Sequence, residues 1–570
     1  MKTIIKKKSV LLFKVLLLFF MVFYSVNSFA QPLWQIYPYS PPGSVLTFPY
    51  DDGYHPDAST LTEWWYINLH LIGSSPQYKQ YDVMLVYFRF ANMRIFNISE
   101  SSGTFHSNVL QLYPTFTFHL NNWDLTYTVP LLINDFSKWT YPVDNISYKY
   151  DFFAEEPSND DMLNVTVTSN RAPLVVGGDG FIPLGNQGDS SFYYSYTNMK
   201  TEGTIRYNGV DDIITSGVAW IDRQWGPFTV GVNADNKYEW FSLQMDKQGT
   251  ILGQPQTPSE FNIWQIFSDT SSIPYSPEWR MVSSIFPDNT QDTSSTFFFE
   301  RTGYWHDIAN NKYYSSRWRF IEPNHGVSID VIPNIANQIV DVTLFKFWEG
   351  STTLKGTVNN LPVEGVGFAE LVADHNFEII LPSVPSGLNV TSYSDHYSLN
   401  WIACTPGTYP IGGYRIYRSP NNNGYWQYIA TTSNLFYDDY SAASDSSYFY
   451  TVTSFDNQTA TSASNYATPV PAYPSGINVV DNKNIFLKIY PNPTSGKIAV
   501  TISSGSIDKI EIYNVMREKV YSSLVYFPVT KAPMTIDMSL YPNGVYFIRL
   551  QTREEIFNQK FILQKGSIKH

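Results

Sequence analysis

Along most of the chain, hydrophobic and polar positions alternate one by one. In the run Leu61-Thr62-Glu63-Trp64-Trp65-Tyr66-Ile67-Asn68-Leu69-His70-Leu71, Glu63, Trp65, Ile67 and Leu69 share one face of a strand, and Trp64, Tyr66, Asn68 and His70 share the other. In Thr215–Pro227 the same alternation sets Trp220, Asp222 and Gln224 on one face and Ile221, Arg223 and Trp225 on the opposite one. The run Ser191-Phe192-Tyr193-Tyr194-Ser195-Tyr196 again mixes polar with aromatic positions. No stretch holds a 3.6-residue period for more than about two turns, and Pro and Gly interrupt the pattern every few residues. The pattern predicts an all-β protein of many short strands joined by turns.

The first thirty residues break this pattern. Lys2, Lys6, Lys7 and Lys8 precede an apolar run from Val15 to Val26, and Ser28-Phe29-Ala30 follows. A dozen apolar residues are too few to span a bilayer's core of about 30 Å, so residues 1–30 read as a signal peptide cleaved after Ala30. No later stretch predicts a transmembrane helix in the mature chain.

Composition narrows the function. Removing the leader takes away five lysines and no acids, moving the formal charge from −13 to −18, which argues against nucleic acid as a partner. The single cysteine, Cys404, excludes an intrachain disulfide and reads as a small sandwich residue with no base nearby to activate it. About 540 mature residues exceed the roughly 250–300 at which one core stops growing, so several domains are expected.

From Ile485 the chain reads FLKIYPNPTSGKIAV, IDKIEIYNVMREKVYS and MTIDMSLYPNGVYFIRLQT, strands joined by turns of proline and Asn-Gly chemistry. These motifs, in this order, resemble the type A C-terminal sorting domain of the bacterial type IX secretion system, over residues 485–570. The resemblance implies export to the outer-membrane surface or the medium, with the type IX machinery as a partner.

Upstream, LNVTSYSDHYSLNWIAC, GGYRIYRSP, WQYIATT and SYFYTVTSFD follow at sandwich spacing. Residues 383–471 resemble a fibronectin type III domain, with Trp401 as the core tryptophan and Tyr448 at the tyrosine corner.

The remaining chemistry belongs to residues 31 to about 380. TEWWYINLHL, PLVVGGDGFIPLG leading into SFYYSYTNMKTEGTI, GVAWIDRQWG, SSRWRFIEP and FWEGSTTLKGTVNNLPVEGVGFAEL stand in one order along this region. It resembles the lipocalin-like carotenoid 1,2-hydratase (hydroxyneurosporene synthase) superfamily and its secreted-hydrolase branch. The resemblance implies two consecutive lipocalin-like β-barrel domains, 31–230 and 231–380, and a lipophilic small-molecule ligand.

If the hydratase chemistry applies, an acid protonates an alkene, aromatic faces shelter the cation and water adds. Asp222 is the candidate acid, since burial beside tryptophan raises a carboxyl's pKa. Gln224 would position water, and Glu370 is a further candidate, with an alternative structural role toward backbone amides or Arg319. Trp64, Tyr66, Trp220, Trp225 and Tyr194 are the candidate substrate-binding residues. In the secreted branch the box usually carries His where this chain has Arg223, and a guanidinium cannot act as a base. His55 reads equally as a site or a surface residue, and His70 as structural.

Asp51, Asp52 and Asp57 are too irregular for a calcium loop, and no HExxH, CxxC pair, GxSxG elbow or Walker loop is present. Neither a metal nor a cofactor is expected. The functional expectation is a secreted or surface protein acting on a lipophilic molecule by acid-catalysed hydration, hydrolysis or isomerisation. The alternatives are a non-catalytic binder of an apolar ligand and an adhesin-like surface protein.

Overall fold

A computed structural model describes residues 39–474 and 487–565, apart from 58–59, 61, 75–79, 90–91, 101–102, 112–114, 119–122, 130–132, 141–147, 170, 185–188, 229–235, 246–256, 269–278, 343–344, 444, 503–505, 517, 529–533 and 553–555. The leader read at residues 1–30 lies outside the described residues. Every α-helix is absent among those described, and the architecture is all-β.

The first sheet is antiparallel, with strands β1 (Thr62–Gly73), β2 (Gln80–Phe88), β3 (Met93–Glu100), β4 (Thr104–Leu110), β5 (Thr115–Phe118), β6 (Asp124–Val129), β7 (Ile133–Thr140), β8 (Tyr148–Glu156), β9 (Asp161–Ser169), β10 (Leu174–Val175), β11 (Phe181–Pro183), β12 (Ser190–Tyr207) and β13 (Val210–Gly226). Its order is β4-β3-β2-β1-β13-β12-β9-β8-β7-β6-β5, with β10 and β11 added on β12. The second sheet contains β14 (Asn236–Gln244), β15 (Glu260–Ser268), β16 (Arg280–Ile285), β17 (Gln291–Ser294), β18 (Phe298–Asp307), β19 (Lys312–Glu322), β20 (Val327–Pro333), β21 (Ile339–Val342), β22 (Phe345–Val358) and β23 (Leu361–Leu371). Its order is β17-β16-β15-β14-β23-β22-β20-β19-β18, with β21 on β22.

Each sheet is a half-barrel around its own apolar core. Trp65, Ile67, Leu69, Tyr194, Tyr196 and Trp225 belong to the first core, and Phe241, Phe299, Trp318 and Trp348 to the second. A third apolar cluster joins the faces turned away from those cores, bringing Tyr66, Val86, Tyr193 and Trp220 together with Trp240, Trp264, Phe347 and Phe368. Alternation therefore gives β1 two buried faces with different partners, which explains why it lacks a solvent-facing polar row.

The two hairpins that carry most of the later argument, β12–β13 and β22–β23, close through Asn208-Gly209 and Asn359-Asn360. Their φ values of 51° and 74°, and of 47° and 63°, are those of two-residue type I′ turns. Asparagine and glycine tolerate this left-handed region best, so these turns fix the register of the long strands they join.

The chain divides into two compact units. The first comprises residues up to 388 with 401–435 and 449–469, and the second comprises 389–400, 436–448 and 470–570. In the first unit, strand Ile411–Ser419 pairs with Gln427–Thr432 and with the strand through Phe449–Asp456. Arg415 Nε lies 2.9 Å from Glu300 on β18, and Arg319 on β19 sits 3.9 Å from the ring centre of Tyr466. In the second unit, a three-stranded sheet (Leu487–Tyr490, Lys497–Ile502, Met534–Asp537) and a four-stranded one (Ser506–Asn514, Lys519–Pro528, Gly544–Thr552, Ile556–Leu563) enclose Ile498, Ile510, Ile512, Ile548 and Phe561. The Pro-Asn-Pro turn is pinned to the last strand, where Ile562 N donates to Asn492 Oδ1 at 2.8 Å.

Candidate functional site

β1 and β13 are adjacent antiparallel strands in a register that pairs Trp64 with Gln224, Tyr66 with Asp222, Asn68 with Trp220 and His70 with Val218. Side chains of directly opposed residues point to the same face, so this register alone collects Trp64, Tyr66, Asp222 and Gln224. The second sheet covers that face with Tyr238 and Trp240 from β14, Trp264 from β15, Glu349 from β22 and Glu370 from β23. Together these residues line a cavity with Val86, Phe88, Tyr193, Phe228 and Phe347 among its other walls. Trp64 stacks on Phe88 with centroids 5.6 Å apart, and Tyr66 meets Trp240 edge-on at 5.6 Å.

Four carboxyl residues, Asp189, Asp222, Glu349 and Glu370, stand among the described lining residues of this largely aromatic space, and no Lys, Arg or His does. Asp222 is 3% exposed. Its Oδ1 accepts from Ser195 Oγ at 2.5 Å and Trp220 Nε1 at 2.7 Å, and its Oδ2 from Tyr193 Oη at 2.8 Å. Burial raises its pKa to about 7, outweighing these three donors, which favour the charged form. Glu370 is also pushed up to about 7 by burial, against a 2.6 Å hydrogen bond from Tyr238 Oη. Glu349 is raised well above the ordinary carboxyl range, by burial first and then by the Glu370 charge beside it. The site can therefore hold neutral carboxylic acids near pH 7 and still present a carboxylate.

The other residues singled out in the sequence take different places. Trp220 is fully buried and supports Asp222 from behind through its indole N–H. Trp225 and Tyr194 lie on the opposite face, in the first core. Trp225 stacks on His55 at 4.0 Å, and Tyr194 donates to Asp52. For Trp225 the alternation already pointed there. For Tyr194 it could not decide, because aromatic residues occupy both faces of that run.

Arg223 is fully buried under the same face, where it donates to the carbonyls of Trp64 (2.5 Å), Gly53 (2.6 Å) and Asp52 (3.3 Å) and to Glu63 (2.9 Å). It staples the segment before β1 to the sheet and has no access to the cavity. His55 is bound to Glu63 and Asp51, and Arg319 to Asp330 and Glu300 rather than to Glu370. Cys404 is half-buried, its backbone N–H donating to Tyr414. Among the described residues no group of His, Cys, Asp and Glu is arranged to hold a metal ion.

The sequence reading missed Glu349, Tyr193, Tyr238, Trp240 and Trp264. Glu349 stands in the FWEG motif, and its position directly opposite Glu370 on the neighbouring strand was the signal that pairing would have supplied.

Fold and site together define a lipocalin-like, double-sheet protein with an aromatic cavity between its half-barrels and a secretion tail at its end. The AttH-like family matches residues 136–374, and the secretion system C-terminal sorting domain family matches residues 488–564. The tail marks the chain for type IX export to the cell surface or the medium. No helix of the described residues is long and apolar enough to cross a membrane.

Kievitone hydratase of Fusarium solani subsp. phaseoli is 24% identical over 337 residues, covering 57% of this chain and 85% of the relative. Among solved structures, an AttH protein of Nitrosomonas europaea is 21% identical with a TM-score of 0.45, over 58% of this chain and 98% of its own. Kievitone hydratase of Nectria haematococca is 18% identical with a TM-score of 0.42, over 59% and 98%.

Proposed function

We propose that the chain is an extracellular hydratase of a lipophilic alkene, with Asp222 as its acid. The observation that carries this reading is the set of Asp222 and Glu349, both buried, and half-buried Glu370 facing an aromatic cavity without a cation among its described lining residues. Neutral Asp222 gives its proton to one alkene carbon, and the cation left on the other is sheltered by the faces of Trp64, Tyr66, Trp240 and Trp264. Gln224, whose Nε2 donates to Ser191 at 2.7 Å and whose Oε1 has no protein partner, orients the water that adds. Glu370 takes the proton that this water releases, and its return to Asp222 closes the cycle. The sum is alkene plus water to alcohol. The similarity to a protein named a hydratase supports the same class of reaction.

In this reading residues 1–30 are the leader, 31–230 and 231–380 the two lipocalin-like domains, and 383–471 a fibronectin type III spacer before the sorting tail. The test is solvent extraction and native mass spectrometry of the mature chain, followed by turnover of kievitone and of an acyclic isoprenoid by wild type and Asp222→Asn. A hydratase loses about 10²- to 10⁴-fold in turnover while keeping its ligand. A pure binder keeps its ligand and turns over nothing in either form, which would sink the catalytic reading.

A further inference from the structure

The face of β1 that lines the cavity continues beyond it. Trp64 and Tyr66 are followed by Asn68 and then by His70, which borders a second cavity with Gln80, Asn198, Ser216, Val218 and Gln244. The two cavities occupy opposite ends of one seam between the sheets. Several strands contribute to both: Tyr66 and His70 from β1, Asp222 and Val218 from β13, Trp240 and Gln244 from β14, Trp264 and Glu260 from β15.

The layer between the cavities is unusually polar. Asn68 Nδ2 donates to Ser242 Oγ at 3.2 Å and to Tyr66 Oη at 3.3 Å. Ser242 is the direct partner of Asn262 across β14 and β15. Asn262 Nδ2 in turn donates to Tyr193 Oη at 3.0 Å and Ser195 Oγ at 3.2 Å, the two hydroxyls that donate to Asp222.

Four polar atoms along this line have no protein partner: Oδ1 of Asn68 and of Asn262, both residues fully buried, and Nε2 of His70 and of Gln244, at 5% and 4% exposure. Exchanging O and N in either asparagine only converts an unmet acceptor into an unmet donor. The bond from His70 Nδ1 to Asp82 at 2.7 Å, with Asp82 held by Ser351 and Asn334, gives that side of the imidazole a structural role and leaves Nε2 unexplained. Buried polar groups in such rows are satisfied by ordered water, each molecule needing about three partners.

Resting on the hydration reading, we propose that the second cavity is the water entrance of the first. An apolar ligand that fills the aromatic cavity closes it to solvent, yet each turnover consumes one water. Water enters between His70 and Gln244, crosses the Asn68–Ser242–Asn262 layer and reaches Asp222 and Gln224 from the side the ligand does not block.

The test uses the mature chain labelled with ¹⁵N at asparagine, reading magnetisation transfer from water to the side-chain amides of Asn68 and Asn262. It is run in wild type, in Val218→Trp, which fills the second cavity, and in Val372→Trp, which narrows the first. Thermal melting reports whether each variant is folded, and Gln244→Leu is a smaller change at the same entrance should Val218→Trp fail to fold. The expected result is transfer in wild type and Val372→Trp that is lost in the second-cavity variant. Transfer absent from wild type, surviving the second-cavity block or lost in Val372→Trp overturns the proposal. A chain that turns over no alkene but shows the expected transfer overturns the hydration reading and leaves the water path standing.

Discussion

Glu349 and Glu370 are direct partners across β22 and β23, so two carboxyl groups point side by side into a space where no described lining residue carries a positive charge. Opposed residues have Cβ atoms about 4.5–5.5 Å apart, and two buried anions at that separation are strongly disfavoured. At least one of the pair holds its proton at neutral pH. The stability of the folded chain must then depend on pH. Asp222 and Glu370 bind protons more tightly when folded, with pKa values of about 7 against ordinary values of 3.8 and 4.5, and Glu349 is raised in the same direction. Stability from these groups is full below the ordinary carboxyl range and is lost as pH rises toward 7, at no more than about 1.4 kcal/mol per pH unit for each. Melting temperatures measured from pH 5 to 7.5 should fall, and Glu349→Gln should flatten that slope. A slope unchanged in Glu349→Gln would show that the pair is not protonated as argued.

Tyr193 tunes the acid. Its hydroxyl is one of three donors that favour the Asp222 carboxylate against burial. Tyr193→Phe removes that donor without altering the ring, so the Asp222 pKa should climb further. If Asp222 acts as an acid, the basic limb of the pH dependence of kcat/KM moves to higher pH. If it acts as a base, the acidic limb moves instead. The profile of the variant against wild type distinguishes the two roles.

How far the site was legible follows from which information a strand carries by itself. Alternation separates Trp64 and Tyr66 from Trp65, and Asp222 and Gln224 from Arg223, because side-chain direction along a strand is a local property. It cannot show that β1 and β13 are neighbours, nor that Tyr66 stands opposite Asp222, since 155 or so residues of chain lie between them and register is set by pairing. The second sheet's contribution was further out of reach. Glu349, Trp240 and Trp264 face the cavity only because the two half-barrels pack through their outer faces, a tertiary arrangement that leaves no period in the sequence. The strands of the sorting tail were readable for the opposite reason: alternation bounded by Pro and Gly is a local signal.

Arg223 is a structural residue, and restoring the histidine usual in the related box should harm the protein. Arg223→His takes the nearest guanidinium from Glu63, which is 0% exposed and keeps His55 at 2.8 Å and Arg89 at 3.8 Å, and leaves the carbonyls of Trp64 and Gly53 without their donor. Removing one partner of a buried ion pair costs about 3–5 kcal/mol. Urea unfolding should show a loss of this order. Turnover should not rise, because position 223 points into the first core and away from Asp222. A gain in activity would show that this position communicates with the cavity.

Residues beyond 380 are part of what keeps the second half-barrel folded. Glu300 and Arg319 on β18 and β19 are buried, and both depend on the following module: Arg415 pairs with Glu300 at 2.9 Å, while Tyr466 covers Arg319 and accepts from its Nε at 2.9 Å. Tyr425 adds a 2.8 Å hydrogen bond to Glu364 on β23, the strand that carries Glu370. A chain cut after residue 380 exposes this surface and leaves Glu300 with Arg319 alone, at 3.5 Å. A loss of about 2–3 kcal/mol corresponds to roughly 5–10 °C in melting temperature for a domain of this size. Differential scanning calorimetry of residues 31–380 against 31–474 should show this difference, and Glu300→Gln in the longer chain should reproduce part of it by leaving Arg319 and Arg415 without their shared carboxylate. Equal melting temperatures would mean that the module packs on β18 and β19 without stabilising them. The predicted difference makes the longer chain the proper form for ligand capture, since β23 must stay in place for Glu370 to face the cavity.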